Sequence, residues 1–371
     1  LAAVLEHDGN AAIGADIGML LGLEKTGLAV TADKNAAFEA CDVLIDFTTP
    51  GGTLNLGSNA NRTDILLGHK NTSTANNADG TMDLSGGTAN IFASNLTIAL
   101  ESNNSNSGSP SGSLIIDAGS LDVSGNTLIG SGSDANGTLT MNGGTATFGD
   151  GVGTDNFIVG TNPGNQGSTT VGMGTVDLSG ATSATFDVNN FHVGVKGDGQ
   201  NGRAHGIVTL AMNNTIDATF ILVGRSGNNG QPVSELHFGS GVSNVTADTF
   251  TVGSFKGRGE VDVAAGGTVN IGSAGDRTVV TVGLKDVGTG GNNASSIDFS
   301  GGTANIFAST LTIGHESNTG GTGSPTGSMT IDAGSLNVGG NTLIGSGPGA
   351  VGSLTMNGGT AVFGDGAGTD N

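Results

Sequence analysis

The sequence has no tryptophan and no tyrosine, one cysteine at position 41, six prolines, and only 11 basic residues against 32 acidic ones. Each shortage removes a class of explanation. With Cys41 alone, no disulfide framework can staple the chain, so stability must come from packing and backbone pairing. A net charge of −21 leaves too few cations to neutralise phosphates, which excludes nucleic acid and disfavours an anionic membrane surface. Without Trp and Tyr, a carbohydrate-binding scaffold, which aromatic stacking residues would support, is weakly backed. No run of ~18 apolar residues occurs, so no transmembrane segment is expected.

What is abundant is glycine, at 70 of 371 residues. A flexible glycine-rich linker would lack regularly placed apolar residues, whereas hydrophobic residues make up 35% of this chain and recur at steady intervals. Many short strands joined by tight turns fit both facts.

The first 55 residues have a different texture. "LAAVLE" reads as a buried strand, "GLAVTAD" as a second, "KNAAFEAC" as a short helix over Lys34–Cys41, and "DVLIDFT" as a third, apolar strand. Such alternation points to part of a parallel α/β sheet. The run from Leu5 to Asn55, with "LEHDGN" near its start and "DVLIDFTTPGGTLN" at its end, resembles the nucleotide-binding domain of the dihydrodipicolinate (4-hydroxy-tetrahydrodipicolinate) reductases. That resemblance implies a Rossmann-like fragment and an NAD(P)H cofactor. It places Glu6 at the adenosine ribose, His7 beside it where a 2′-phosphate would lie, and Asp46, Phe47 and Thr48 at the nicotinamide side. It also implies a glycine-rich phosphate turn upstream of the position matching Leu1, and a catalytic Lys with a substrate-binding Ser-Gly-Thr turn downstream. Nothing after Asn55 resembles those downstream parts. No catalytic residue is therefore assigned, no cofactor is expected to bind, and NAD(P)H returns only if the reductase reading holds.

From Gly51 onward the chain repeats. "SGGTANIFASNLTI" at Ser85 returns as "SGGTANIFASTLTI" at Ser300, and residues 85–156 align with 300–371 without a gap. The two 72-residue blocks are about three-quarters identical, a long period of about 215 residues. Within it lies a shorter period of roughly 25 to 37 residues, about ten units in all. Each unit opens on an alternating stretch such as "TMDLSGG" or "SLTMNGGT" and continues with a second strand such as "NLTIA" or "FILVG". One such unit cannot bury its apolar stripe alone. Stacked ~4.8 Å apart, ten would pair every strand and form a β-solenoid ~50 Å long. Gly86, Gly87, Gly143 and Gly144 suit corners with positive φ. The units resemble the passenger-type repeats of autotransporter-like secreted bacterial surface proteins, which implies a secreted or surface-exposed stalk or adhesin with an unknown surface or matrix ligand. The reductase fragment would belong in the cytoplasm.

Chemistry on the repeat region finds little support. Arg203, Arg225, Lys256 and Arg258 are too scattered for a polysaccharide lyase site. The loops holding Asp150, Asp155, Asp365 and Asp370 lack the nonapeptide pattern of a calcium-binding roll, so they read as turns. His69, His192, His205, His237 and His315 have no partner at metal-ligand spacing. A Thr ladder through Thr97 and Thr312 is interrupted by "FIVG" and "FHVG", which argues against an ice-binding face.

The expected chain is thus mainly β, with a truncated reductase fragment over 1–55 and a β-solenoid over 51–371. "GGTLNLGSNANRT" at Gly51 aligns with "GGTVNIGSAGDRT" at Gly266, while "GGTLN" also completes the reductase pattern. Both patterns share Gly-Gly-Thr-x-Asn, which reads as a chimeric join by chance microhomology, in a genome or in an assembly of reads. The alternative is a 4-hydroxy-tetrahydrodipicolinate reductase of lysine biosynthesis.

Overall fold

The structure is a computed structural model, and it describes residues 4–6, 9–33, 52–72, 77–102, 108–163, 170–196, 202–227, 231–286, 293–317 and 323–364. The chain divides into two compact units, Leu1–Pro50 and Gly51–Asn371. In the first, strand Val4–Leu5 pairs in parallel with Val30–Thr31. A four-residue helix, Ile17–Leu20, lies between them in sequence and was not expected. Its signal was the Asp16 N-cap ahead of an apolar run. The Asp16 carboxylate accepts from the backbone N–H of Gly18 at 2.9 Å, Thr26 at 3.0 Å and Gly27 at 2.6 Å, tying the helix start to the turn before the second strand. Those bonds, the one from Thr26 first, hold its pKa down at about 2. The expected helix over Lys34–Cys41 and the third strand lie outside the described residues.

The second unit is built almost wholly from parallel strands. Among the described residues they form one sheet of ten strands and one of sixteen. In the ten-stranded sheet the order follows the sequence, from Asp79–Leu84 through Ser111–Ile116 and Asn136–Met141 to Val351–Met356. Each expected unit supplies the next strand. Residues paired in register on neighbouring strands of this sheet lie from 25 residues apart in sequence, as for Ser111 and Asn136, to 37, as for Asn136 and Met173. A mainly β chain with parallel pairing is what the alternation predicts.

Alternation decides which side faces inward. Thr326–Ile331 alternates half-buried and buried along its whole length, as do Ser111–Ile116, Arg203–Thr209 and Val233–Phe238. In-register pairing then turns each inward position into a column. Leu67, Ile98, Ile129, Val159, Val193, Val223, Val252, Val282, Ile313 and Ile344 lie opposite one another in turn. Facing them, Met82, Leu114, Leu139, Val176, Val208, Leu236, Val261, Ile297, Met329 and Leu354 form the matching column of the other sheet. Phe148 stacks on Phe186 at 5.0 Å, and Phe157 on Phe191 at 5.0 Å, in the same register. Each fully buried aliphatic or Phe side chain contributes about 1.5–3 kcal/mol. Outward polar residues also align: Asn95 donates to Asp64, Asn156 to Asn126, and Asn190 to Asn156 at 2.6–2.9 Å.

Directly after each member of the first aliphatic column the backbone turns left-handed. The residues are Gly68, Ala99, Gly130, Gly160, Gly194, Gly224, Gly253, Gly283, Gly314 and Gly345, with φ between 57° and 71°. The ladder skips this residue, as between Val193↔Val223 and Val195↔Arg225. The chain bends there, which carries the backbone against the other sheet. A Cβ on Gly130 would run into the Met173 carbonyl, and one on Gly160 into that of His205. The second sheet answers with its own small column, including Gly137, Gly174, Gly206, Ser234, Gly259 and Ser295. At the two serines the hydroxyl accepts the backbone N–H of Gly206 at 3.3 Å and of Gly259 at 3.2 Å. The glycines expected at corners divide: Gly86 and Gly144 have φ of 83°, whereas Gly87 and Gly143 do not have positive φ. One left-handed residue suffices for each of those turns, and Gly143 is small because its Cβ would lie 2.5 Å from the Asp117 carbonyl.

Gly160→Ala should lower stability by at least about 2 kcal/mol, because it adds a left-handed alanine and a backbone collision. Ala99→Gly, which puts into the first block the residue found at Gly314, should raise it by about 0.5–1 kcal/mol. Chemical unfolding followed by circular dichroism measures both, and equal effects of the two changes would contradict the column.

Candidate functional site

Of the residues assigned by resemblance to the cofactor, Glu6 alone lies among the described residues. It follows strand Val4–Leu5, its backbone N–H donates to Thr31 at 2.9 Å, and its carboxylate accepts from the Asn10 amide. A carboxylate at the end of a parallel strand is where a ribose diol would be met. His7, Asp46, Phe47 and Thr48 lie outside the described residues, so no nicotinamide site is assembled.

In the second unit the second position after several of the left-handed corners carries an unexpected chemistry. Lys285 and Glu316 sit there on adjacent strands, in register and fully buried, with Nζ 3.1 Å from the carboxylate. The contact is an ion pair without hydrogen-bond alignment. One long period earlier Lys70 and Glu101 occupy the same positions, also buried and in register. Lys196 is buried at the same place after Gly194, where its ammonium donates to the Asn162 carbonyl and burial pushes its pKa down to about 8. Reading by motif missed these groups because their partners are about 30 residues apart; the long period, which maps Lys70 onto Lys285 and Glu101 onto Glu316, was the available signal.

Arginines fasten the other side of the same strands. Arg62 lies over the Phe92 ring, donates to the Ala93 and Asp122 carbonyls, and grips the Asp122 carboxylate at 2.9 and 3.0 Å. It therefore joins three successive strands. Arg277 repeats this over Phe307, with bonds to the Ala308 and Asn337 carbonyls. Asn337 stands where the first copy has Asp122, so the charge pair is not duplicated.

The outer face of the ten-stranded sheet carries the one histidine held between two carboxylates among the described residues. His237 meets Asp262 through Nδ1 at 2.9 Å and Glu235 through Nε2 at 3.1 Å, beside a shallow cleft lined by Leu210, Met212 and Phe238. The Asp262 hydrogen bond raises its pKa, against the effect of partial burial. His192 moves the other way: burial, with the Arg225 charge adding to it, takes it down to about 4. Burial also lowers His205. His69 pairs with the Ser102 hydroxyl at 3.0 Å, and His315 with the Ser346 carbonyl at 2.9 Å. Asp150 accepts from the backbone N–H of Val152 at 3.0 Å as a turn, and Asp155 is raised by burial and by Asp150; Asp365 and Asp370 lie outside the described residues. Among the described residues no group of three or more His, Cys, Asp or Glu side chains is placed to hold a metal, and no helix is long and apolar enough to cross a membrane.

Comparison with known proteins finds one family, "Dihydrodipicolinate reductase, N-terminus", matching residues 1–67. The N-terminal segment is similar to the 4-hydroxy-tetrahydrodipicolinate reductase of Trichlorobacter lovleyi, at 48% identity over 50 residues, which is 14% of this chain and 19% of the relative. The Geobacter sulfurreducens enzyme of the same name is 46% identical over 50 residues, 14% and 19% of the two chains. That of Cupriavidus pinatubonensis is 50% identical over 54 residues, 15% and 20%. The chain thus spans about a fifth of the length of the curated relatives it matches. The last part of the family match falls on strands Thr53–Leu56 and Thr63–Lys70, which pair with Thr88–Glu101 in the repeat. No solved structure matches.

Glu316→Gln should cost about 3–5 kcal/mol by stranding the Lys285 charge, whereas Lys285→Met with Glu316→Leu should come within about 1 kcal/mol of the parent or exceed it. Denaturant unfolding of the two variants separates a structural ion pair from a functional one. The histidines predict opposite pH trends. The contribution of His237, whose folded pKa is raised, is full below about 6.5 and is lost as pH rises through the folded value. That of His192 is full above about 6.5 and is lost as pH falls towards 4. NMR titration of the two rings measures the shifts, and Asp262→Asn should bring His237 down.

Proposed function

We propose that residues 51–371 are a β-solenoid segment of about ten coils that serves as a stalk, adhesin or matrix element of a secreted or cell-surface bacterial protein. Each unit of 25 to 37 residues is one coil. The observation that carries the reading is the order of the strands: in the ten-stranded sheet each unit adds one strand beside the last, and columns of like side chains run through both sheets. Proteins built this way hold their outer loops at fixed spacing, which suits display along a surface. The charge of −21 keeps such a surface solvated.

Residues 1–55 are, in this reading, a reductase nucleotide-binding fragment joined to the solenoid and without catalytic competence. Hydride transfer needs a bound cofactor facing an oriented substrate. The match covers about a fifth of the relatives' length, and from Thr53 onward the strands of the repeat follow it. The family match over 1–67 supports a second reading, an NAD(P)H-dependent 4-hydroxy-tetrahydrodipicolinate reductase, with Glu6, His7, Phe47 and Thr48 at the cofactor.

Titration of the 371-residue chain with NADPH and NADH to about 1 mM, at the upper end of usual enzyme affinities, should give no change in nicotinamide fluorescence. Micromolar binding would favour the reductase reading. Antibody against the repeat should label intact source cells; labelling only after lysis would overturn the surface assignment.

A further inference from the structure

The outer side of the sixteen-stranded sheet carries a patch that differs in charge from its surroundings. One outward column runs in register from Thr97 through Leu128, Ile158, His192 and Leu222 to Thr312. Two residues earlier on the strands a second column runs from Asn156 through Asn190, Phe220 and Thr249 to Thr310. Over these ranges neither column holds Asp, Glu, Lys or Arg. His192 adds no charge at neutral pH, since burial first and the Arg225 charge second take its pKa down to about 4. Arg225, at the edge of the patch, lies over the Phe255 ring 4.1 Å from its centre. Phe220 is 44% exposed, and Leu128, Ile158 and Leu222 are partly exposed. Every one of these strands is paired on both sides, so the exposure belongs to the face and not to an end of the sheet. Other outward columns carry carboxylates. Glu235 stands opposite Glu260 and Asp262 opposite Asp298 on the ten-stranded sheet, and Asp187 stands opposite Asp217 beyond the ladder break at Asn189. Burial first, then Asp187 and Asp276, hold the Asp217 carboxyl above its usual range.

We propose that this patch is a contact between two copies of this chain, set sheet face to sheet face. Charge selects the occupant. Each copy carries a net charge of −21, so the faces bearing Glu235, Asp262 or Asp217 would bring like charges together, whereas the two columns from Thr97 and Asn156 bring none. Their amides are already engaged within one copy: Asn190 donates to Asn156 at 2.6 Å and Asn156 to Asn126 at 2.8 Å, so covering them strands few polar groups. Size agrees. Eight strands ~4.8 Å apart make the patch about 35 Å long, and two side-chain columns make it about 15 Å wide. That is roughly 500 Å² on each partner and about 1,000 Å² in all, the lower bound for a specific contact, so the association is weak and concentration-dependent.

The contact needs only the paired strands, so its failure would leave the stalk reading untouched. Sedimentation equilibrium of the 371-residue chain, up to about 500 μM, tests it. A reversible dimer is expected, and it should tighten at least about threefold between 0.05 and 0.5 M NaCl as salt screens the repulsion of the acidic faces. Phe220→Asp should weaken it at least about tenfold, and so should Thr251→Lys, which lowers the net negative charge but leaves a cation unpaired in the contact. Thr215→Asp, the same charge change as Phe220→Asp on the same strand but outside the patch, should leave it unchanged. Circular dichroism of each variant shows that the fold is kept, and the lysine and aspartate changes together guard against reading lost folding as lost contact. A monomer at every concentration overturns the proposal. So does a dimer that salt weakens, one that Phe220→Asp and Thr251→Lys leave intact, or one that Thr215→Asp weakens equally.

Discussion

Everything in the second unit depends on how closely two backbones can approach at one corner. The left-handed column from Gly68 to Gly345 bends one sheet towards the other, and the small column through Gly137, Gly206 and Gly352 leaves room for it. Neither column works without the other. A side chain on either would separate the sheets, and the aliphatic columns beside them would lose their contacts. The corner therefore sets the spacing at which Val, Ile and Leu from the two sheets meet, and parallel register carries that spacing from unit to unit.

The same corner explains where charge is buried. Two residues beyond it the side chain points into the interior, so whatever the sequence places there must be satisfied across the ladder. Lys285 and Glu316 answer each other, Lys196 finds the Asn162 carbonyl, and Ser226 fills the place with a small polar group. A buried pair adds little net stability over apolar replacements, but it penalises any slip of register that would separate the charges. Arg62 and Arg277 act similarly from the other side, each fastening carbonyls on successive strands.

Much of this was legible in the sequence. Alternation in "SLTMNGGT" or "SIDFSGGT" fixed the inward residues, and the recurrence of such stretches gave the spacing of the strands. What could not be read was pairing at a distance. Nothing local marks Lys285 as the partner of Glu316, or tells Gly174, which is small for lack of room, from Gly160, which must also be left-handed. His237 looked isolated because its partner Asp262 sits 25 residues on, in the next unit. In the first unit, similarity to a reductase N-terminus was legible from "DFTTPGGTLN", while the Asp16 cap and its helix were passed over because four residues are too few for a periodic pattern.

The gapless similarity of residues 85–156 and 300–371 has a genetic consequence. Both blocks meet the strand before them at equivalent register positions, with Leu114 opposite Met82 in one and Met329 opposite Ile297 in the other. Unequal crossing-over between them would insert or delete one whole long period, and every column would rejoin in phase. The gene can therefore change the length of its product in single steps without passing through a misfolded intermediate, and alleles of different length are the expected mark of that history.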